Sequence, residues 1–377
     1  VAPISLGPSP VVVGLDIGTD HIRVAQVKPV GASFMLSGYA MVGVPMGAVV
    51  EGEIVDVEAV AASIREMVRT SGLHPSNCAI GVSNQKVVVR LIDLPYMERA
   101  ELQGAIQYQA QDYIPIPIED AILDFQIIGD YMTSADEHMM EVLLVAAQRD
   151  MIGNSVRAVE EAGLRLQQID VTSFAIVRAL MGPSQSLLPD EGEDTGEAIG
   201  IIHISAGLTN IAVVEKGIPR FTRVSALAGN QFTQAIANSL NLTFDEAEDL
   251  KVRVGLPDID QHGQPEFPSD VDPARAQTAQ DALEREVSKF IAEVRRSLDY
   301  YLTQATQVRT IRKILLTGSG AQLRYLAGYL EKGLQAEVKL ADPLSWIQVS
   351  PQVAQAVQAD RMGAVAAIGL AMGSVEQ

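Results

Sequence analysis

The first apolar run, Val11-Val12-Val13-Gly14-Leu15, ends in Asp16-Ile17-Gly18-Thr19, and a second β-branched run, residues 22–27, follows at once. Two strands this close form a hairpin, with a turn tight enough to need glycine. The pattern recurs once: strand signals at 199–204 and 209–214 flank Ser205-Ala206-Gly207-Leu208 and restart at Thr209. A chain that builds strand, glycine turn and strand twice points to a fold of two similar halves. The identity between the two stretches is low, so the repetition is structural rather than a sequence repeat. Acid, glycine and hydroxyl in this order suit phosphate, because turn N–H groups face phosphate oxygens and a carboxylate holds Mg²⁺ through water. The same residue types also make ordinary turns.

A third element has the same flavour. Ile314-Leu315-Leu316 runs into Thr317-Gly318-Ser319-Gly320, and a helix is predicted over 321–330. Gly-x-Gly at a strand end lets the backbone approach a flat ligand, and a following helix offers free N–H groups. The 377 residues exceed what one core usually serves, and 47% are apolar, so two or more well-packed domains are expected. The formal charge of −19 argues against nucleic acid and anionic lipid as partners. It also leaves any phosphate site dependent on main-chain amides, metal and a few local cations. Cys78 is the single cysteine, which excludes disulfide stapling and cysteine-rich metal sites. No run reaches the length of a membrane span and residues 1–10 lack a signal-peptide pattern, so the expected location is cytoplasmic.

Asp56 reads as the N-cap of a helix carrying Val57, Val60, Ala61, Ile64, Met67 and Val68. Strands are predicted at 78–82 and 87–92. A second unit then opens with the helical stripe Leu102, Ala105, Ile106, Ala110, Tyr113 and Ile114, stopped by Pro115-Ile116-Pro117-Ile118. Strands at 122–128 and 141–147 and a helix over 150–162, ending at Gly163, complete an insert of roughly 80 residues. Residues 182–198 read as a solvated linker and 257–273 as a loop. Helices are expected at 245–254 and 274–306, and 362–372 reads as a helix packed between domains.

Several stretches carry a more specific likeness. They are Gly14-Leu15-Asp16-Ile17-Gly18, Leu94-Pro95-Tyr96-Met97, residues 109–118 (QAQDYIPIPI), Leu123-Asp124-Phe125 and Leu144-Val145-Ala146-Ala147. Gly163-Leu164 leading to Ile169-Asp170-Val171, Ala247-Glu248-Asp249-Leu250-Lys251, Arg295-Arg296-Ser297-Leu298 and Leu316-Thr317-Gly318-Ser319-Gly320 extend it over essentially the whole chain. With the three glycine turns in this order, the sequence resembles the actin-like ATPase superfamily and, within it, the PilM family of type IV pilus assembly.

The resemblance implies an α/β fold of two ribonuclease-H-like halves with an inserted small α/β subdomain. The first half would take 1–84, 163–182 and 345–377, and the insert 84–162. The second half would take 198–243 and 300–344, with a small subdomain at 244–299. ATP and Mg²⁺ would lie between the halves. Asp16, Gly18 and Thr19 fall on the first phosphate motif, with Asp16 holding Mg²⁺ through water; Ser205, Gly207 and Thr209 fall on the second. Gly318, Ser319 and Gly320 fall on the adenosine motif, Glu248 and Lys251 on the helix flanking base and ribose, and Arg296 lines the base.

His203 and Ser205 stand where the second phosphate motif usually has aspartate and glycine. A neutral imidazole does not replace oxygen at a hard-cation site, so nucleotide binding is expected with weak or absent ATPase activity; a protonated His203 would contact the γ-phosphate. The insert would grip the N-terminal cytoplasmic peptide of PilN, an inner-membrane protein, through Tyr113, Ile114, Pro115, Ile116 and Pro117. Three rivals are a membrane-docked division protein of the FtsA type, a metabolic kinase with Asp170 as base, and a nucleotide-free scaffold. The FtsA type ends in a basic amphipathic helix, whereas this sequence ends GLAMGSVEQ.

Overall fold

In the computed structural model, which describes residues 12–31, 33–182, 197–259, 267–304 and 310–374, alternating burial turns the first three strands into an antiparallel meander. These are β1 (Val12–Ile17), β2 (His21–Val30) and β3 (Ser33–Gly43). The short β4 (Val49–Val50) and β5 (Glu53–Ile54) lead to α1 (Val57–Ser71). Asp56 caps that helix by accepting from the Ala59 N–H, and Val60, Ala61, Ile64 and Met67 form its buried stripe. β6 (Asn77–Val82) returns parallel to β1. The predicted linker at 182–198 lies outside the described residues except at its ends, as do the middle of the 257–273 loop and the last residues of the 274–306 helix.

The insert follows with β7 (Val88–Pro95), α2 (Arg99–Gln109), β8 (Ala121–Met132), β9 (His138–Gln148) and α3 (Arg149–Glu161). Its antiparallel sheet has the order β7-β9-β8. One face shares a core with Leu102, Ile106 and Ile114; on the other, Leu143 meets Val171 of the first half. α3 departs from the expected boundary: its Ala158 and Val159 are buried with Ile64 and Met67 in the core of the first half. The chain resumes the first sheet with β10 (Arg165–Val171), then forms α4 (Thr172–Met181).

The second half repeats the plan. β11 (Glu197–Ile204), β12 (Thr209–Glu215) and β13 (Ile218–Ser225) form the meander. α5 (Gly229–Leu240), α6 (Phe244–Val254) and α7 (Pro273–Gln304) cover it, and β14 (Thr310–Thr317), α8 (Leu326–Leu334) and β15 (Glu337–Leu340) close it. Numbering only the strands of each main sheet in chain order, both run 3-2-1-4-5, the first with β16 (Gln348–Val349) added beyond β3. α9 (Ala354–Ala359) and α10 (Val365–Gly373) end the fold.

In the 244–299 segment Leu250, Leu283 and Phe290 pack with Ile202 and Ile211 of the second sheet. The helix expected straight after Gly-x-Gly is a 3-10 turn, Ser319–Gln322, and α8 begins only after Tyr325 takes a left-handed conformation. α10 lies, as expected, in the apolar layer between the halves, with Ile176, Ile201, Ala212 and Leu315. Among the described residues no helix is long and apolar enough to cross a membrane.

Candidate functional site

The equivalent hairpin turns of the two halves face each other across a cleft. Each turn is tied internally: Gly18 N donates to His21 O at 2.9 Å, and Ser205 N donates to Leu208 O at 2.9 Å. They also touch. A Cβ on Gly207 would lie 2.2 Å from Thr19 Oγ1, so glycine is required there for the halves to meet. Beside this contact the Ser83 and Ser173 hydroxyls, both from the first half, reach Asn210 Oδ1 at 2.8 and 3.1 Å. Gly318 (φ 92°) sits where a Cβ would meet the Ile204 carbonyl at 2.2 Å, so the Gly-x-Gly turn is spent on packing against the end of β11.

What remains is a cavity of about 50 Å³ lined by Asp16, Gly18, Thr19, Arg23, His203, Ser205 and Ser319, among others. That holds a few waters, whereas pockets for drug-sized ligands start near ~300 Å³. The charges are settled within the protein. Arg23, opposite Asp16 in the β1–β2 ladder, donates from Nε to Asp360 Oδ2 at 2.6 Å, and the Tyr39 hydroxyl donates to the same oxygen at 2.5 Å. Burial works against the Arg23 charge, but the hydrogen bond and charge of Asp360 hold its pKa above the ordinary value. Burial, and next the Asp360 charge, raise the Tyr39 phenol. Burial pushes the Asp16 carboxyl up to about 6, Arg23 opposing and Asp20 and Asp360 adding.

Burial, helped by Arg23, pushes His203 down to about 4. The imidazole is therefore neutral at pH 7, which corrects the expected cationic contact to a γ-phosphate. His203 Nδ1 and Thr317 Oγ1, adjacent in the β11–β14 register, are buried and have no hydrogen-bond partner among the described residues. ATP with Mg²⁺ does not fit this cleft as it stands. The cavity is too small, and its one lining arginine is already neutralised by Asp360 while Asp16 and Asp20 add negative charge.

Of the expected nucleotide contacts, Asp16, Gly18, Thr19, Ser205 and Ser319 share the cavity lining, and Gly207 sits at the contact between the turns. Thr209 is buried and donates to Leu227 O at 2.7 Å. Gly320, like Gly318, packs on Ile204. Glu248 and Lys251 make a separate cluster, in which Lys251 Nζ lies 2.6 Å from Glu248 Oε2 and 2.8 Å from Thr233 Oγ1. Arg296 is not among the residues lining the cavity; it is 68% exposed on α7 and paired with Glu293, because the buried stripe of that helix falls on Val294, Ser297 and Leu298. Sequence reasoning missed Arg23, Asp360, Tyr39 and Asn210. Only Arg23 left a signal, a cation within the apolar run Ile22-Arg23-Val24-Ala25.

The insert offers the larger opening, a groove of about 570 Å³ between α2 and β8. Ile106, Ile118, Ile122 and Phe125 supply its apolar surface, and Glu119, Asp124 and Arg149 its charges. Among the expected peptide contacts, Ile114 is corrected: it is buried in the insert core, and Ile116 is partly buried against it. Tyr113, Pro115 and Pro117 are exposed, and the groove lining starts one residue later, at Ile118. Arg220 of β13 pairs with Glu141 of β9 at 2.5 Å and ties the insert to the second half.

The sequence matches the family described as Type IV pilus assembly protein PilM over residues 14–263 and that described as Cell division protein FtsA over residues 201–358. FtsA of Escherichia coli K12 is 24% identical over 370 residues, covering 89% of this chain and 84% of that protein. The solved PilM-PilN type IV pilus biogenesis complex aligns with a TM-score of 0.79 and 26% identity, over 98% of this chain and 100% of that one. The ethanolamine utilization protein EutJ of Carboxydothermus hydrogenoformans has a TM-score of 0.54 at 18% identity, covering 97% and 90%. MreB5 of Spiroplasma citri, solved with ADP, has 0.52 at 14%, covering 98% and 97%. At these identities the last two share the fold alone.

Proposed function

The chain belongs to the type IV pilus assembly protein PilM family and has the actin-like ATPase fold, and from that premise we propose that it is a scaffold of a pilus assembly complex. In this reading it sits at the inner face of the membrane and holds the N-terminal cytoplasmic peptide of a PilN-like membrane protein in its insert. The observation that carries the reading is the open groove between α2 and β8, in a chain whose likeness to the PilM-PilN complex runs almost end to end. Tyr113, Pro115 and Pro117 are exposed on the segment that leads into the groove-lining Ile118, and Ile114 among them is buried in the insert core.

ATP and Mg²⁺ belong to this proposal only in a form with the halves apart, where Asp16, Thr19 and Ser205 are freed from the facing turn. The cavity of about 50 Å³ and the Arg23–Asp360 pair favour a second reading, a scaffold that works without nucleotide. Calorimetric titration with a synthetic PilN-like tail, with and without Mg-ATP, tests both. The expected result is micromolar peptide affinity, equal in the two conditions, and no thermal shift from Mg-ATP alone. Absence of peptide binding removes the scaffold reading. A melting temperature that climbs with Mg-ATP concentration, as mass action requires of any ligand of the folded state, removes the nucleotide-free one. An FtsA-like role predicts co-sedimentation with anionic liposomes, which is not expected here given the charge of −19.

A further inference from the structure

The β4–β5 hairpin reaches the cleft with its turn. Val49 pairs with Ile54 and Val50 with Glu53, which leaves Glu51 and Gly52 as a two-residue turn. Both have positive φ, 49° and 80°. Such a turn favours asparagine and glycine, and a glutamate in the left-handed region persists only where its surroundings fix it. Asn84, 4% exposed between β6 and β7, does so. Its Nδ2 donates to the Glu51 carbonyl at 2.7 Å, and its Oδ1 accepts from the Lys86 N–H at 2.6 Å. Lys86 Nζ pairs with Glu53 at 2.7 Å, and the Asn154 amide of α3 donates to the Ile54 carbonyl at 3.0 Å. The hairpin has two residues in each strand, too few to hold a position alone, so these three side chains place it.

Gly52, placed in this way, lines the cavity and touches both halves. A Cβ there would lie 1.8 Å from the Ser83 carbonyl oxygen and 2.9 Å from Leu208 Cδ1. Ser83 ends the β6 side of the first half. Leu208 belongs to the β11–β12 turn of the second half and is 6% exposed. Opening the cleft therefore draws Leu208 off the hairpin tip and exposes its side chain to water.

We propose that the β4–β5 hairpin is a strap that holds the cleft shut. Asn84 keeps the tip against Leu208, and the halves part only when that tip is released. The inference rests on the reading in which the halves part to admit a ligand, whatever that ligand is. Strain at Glu51 favours release, and the bond from Asn84 opposes it. The closed form thus depends on one side-chain amide outside the hairpin.

The test is hydrogen exchange on the full chain. Asn84→Asp keeps the acceptor for the Lys86 N–H and removes the donor to Glu51. It should quicken exchange across residues 205–210 at least about tenfold, with Leu315 and Leu316 of β14 unchanged, as local opening requires. Gly52→Ala pushes the tip off the Ser83 carbonyl without touching Asn84, and it should do the same. Faster exchange in residues 49–54 with residues 205–210 at the parent rate overturns the strap. An equal rise in β14 marks a loss of global stability and overturns it too. Thermal melting with Mg-ATP then separates the strap from the nucleotide reading. A midpoint that rises in Asn84→Asp and not in the parent makes nucleotide the ligand that the strap excludes. No rise in either, with residues 205–210 quickened, removes nucleotide and leaves the strap established.

Discussion

The cleft between the halves and the groove of the insert are both lined by polar groups above apolar cores, yet one encloses about 50 Å³ and the other about 570 Å³. The difference lies in what satisfies those groups. In the cleft the partners come from the opposite wall or from the floor: Asn210 takes two serines of the other half, and Arg23 takes Asp360. Opening the cleft breaks the two serine bonds to Asn210, whereas the Arg23–Asp360 pair, both residues of the first half, stays intact. In the groove the partners are neighbouring side chains of the insert itself, so these bonds do not depend on a facing wall. Similar residue types thus make a closed seam where two halves supply each other and leave an open groove where one unit supplies its own partners.

The largest effect that breaks this comparison falls on Arg23. It is 5% exposed and its partner Asp360 8%, so removing the cation leaves a buried carboxylate with, among the described residues, only the Tyr39 hydroxyl donating to it. Arg23→Met is expected to cost about 3–5 kcal/mol in urea unfolding, the loss typical of breaking a buried pair from one side. Adding Asp360→Asn should recover more than half of it, because the stranded charge goes too. A single-variant cost below about 1 kcal/mol would mean that the pair does not hold the cleft floor.

The next effect is a gain. The folded-state pKa of Asp16, about 6, lies above its ordinary 3.8, so the folded chain binds that proton more tightly than the unfolded one. Its stabilising contribution is full below pH 3.8 and is lost as pH rises through 6. Asp16→Asn stays neutral throughout and should be more stable than the parent by about 1–3 kcal/mol at pH 7, the advantage vanishing near pH 4. Unfolding midpoints at the two pH values check this. Identical pH dependence in parent and variant would show that Asp16 is already served in the cleft by a cation or by more water than about 50 Å³ holds.

Features set by near neighbours in the chain were legible in the sequence. The Asp56 cap, the two glycine hairpins and the periodicity of α1 and α7 depend on residues a few positions apart, and they stand as expected. The candidate site was legible only as a set of turns. Its charge partner Asp360 lies 337 positions from Arg23, and nothing near either residue announces the pair. α3 carries an amphipathic pattern that any facing surface could use; only the assembled fold shows it covering α1. A groove on the insert was expected, but its lining was missed for a similar reason. Whether β8 is an inner or an edge strand depends on sheet order, and Ile114, the apolar residue that drew attention, is the one the insert core claims.

The smallest predicted effect tests whether contact between the turns, rather than charge, keeps the cleft shut. A methyl at position 207 would meet Thr19 Oγ1 at 2.2 Å, Cβ at 2.8 Å and Cγ2 at 3.1 Å. These atoms belong to a β-branched side chain with little rotamer freedom, so the halves themselves must shift. Gly207→Ala is expected to cost about 1–2 kcal/mol, the lower range for overpacking. It should also quicken hydrogen exchange around Ser83, Ser173 and Asn210 while leaving the insert as it was. Thr19→Ala removes the nearest clashing atom and should recover part of that cost in the double variant. Should Gly207→Ala quicken exchange in β8 as well, the Arg220–Glu141 tie would transmit the movement, and cleft and groove would then be two ends of one device.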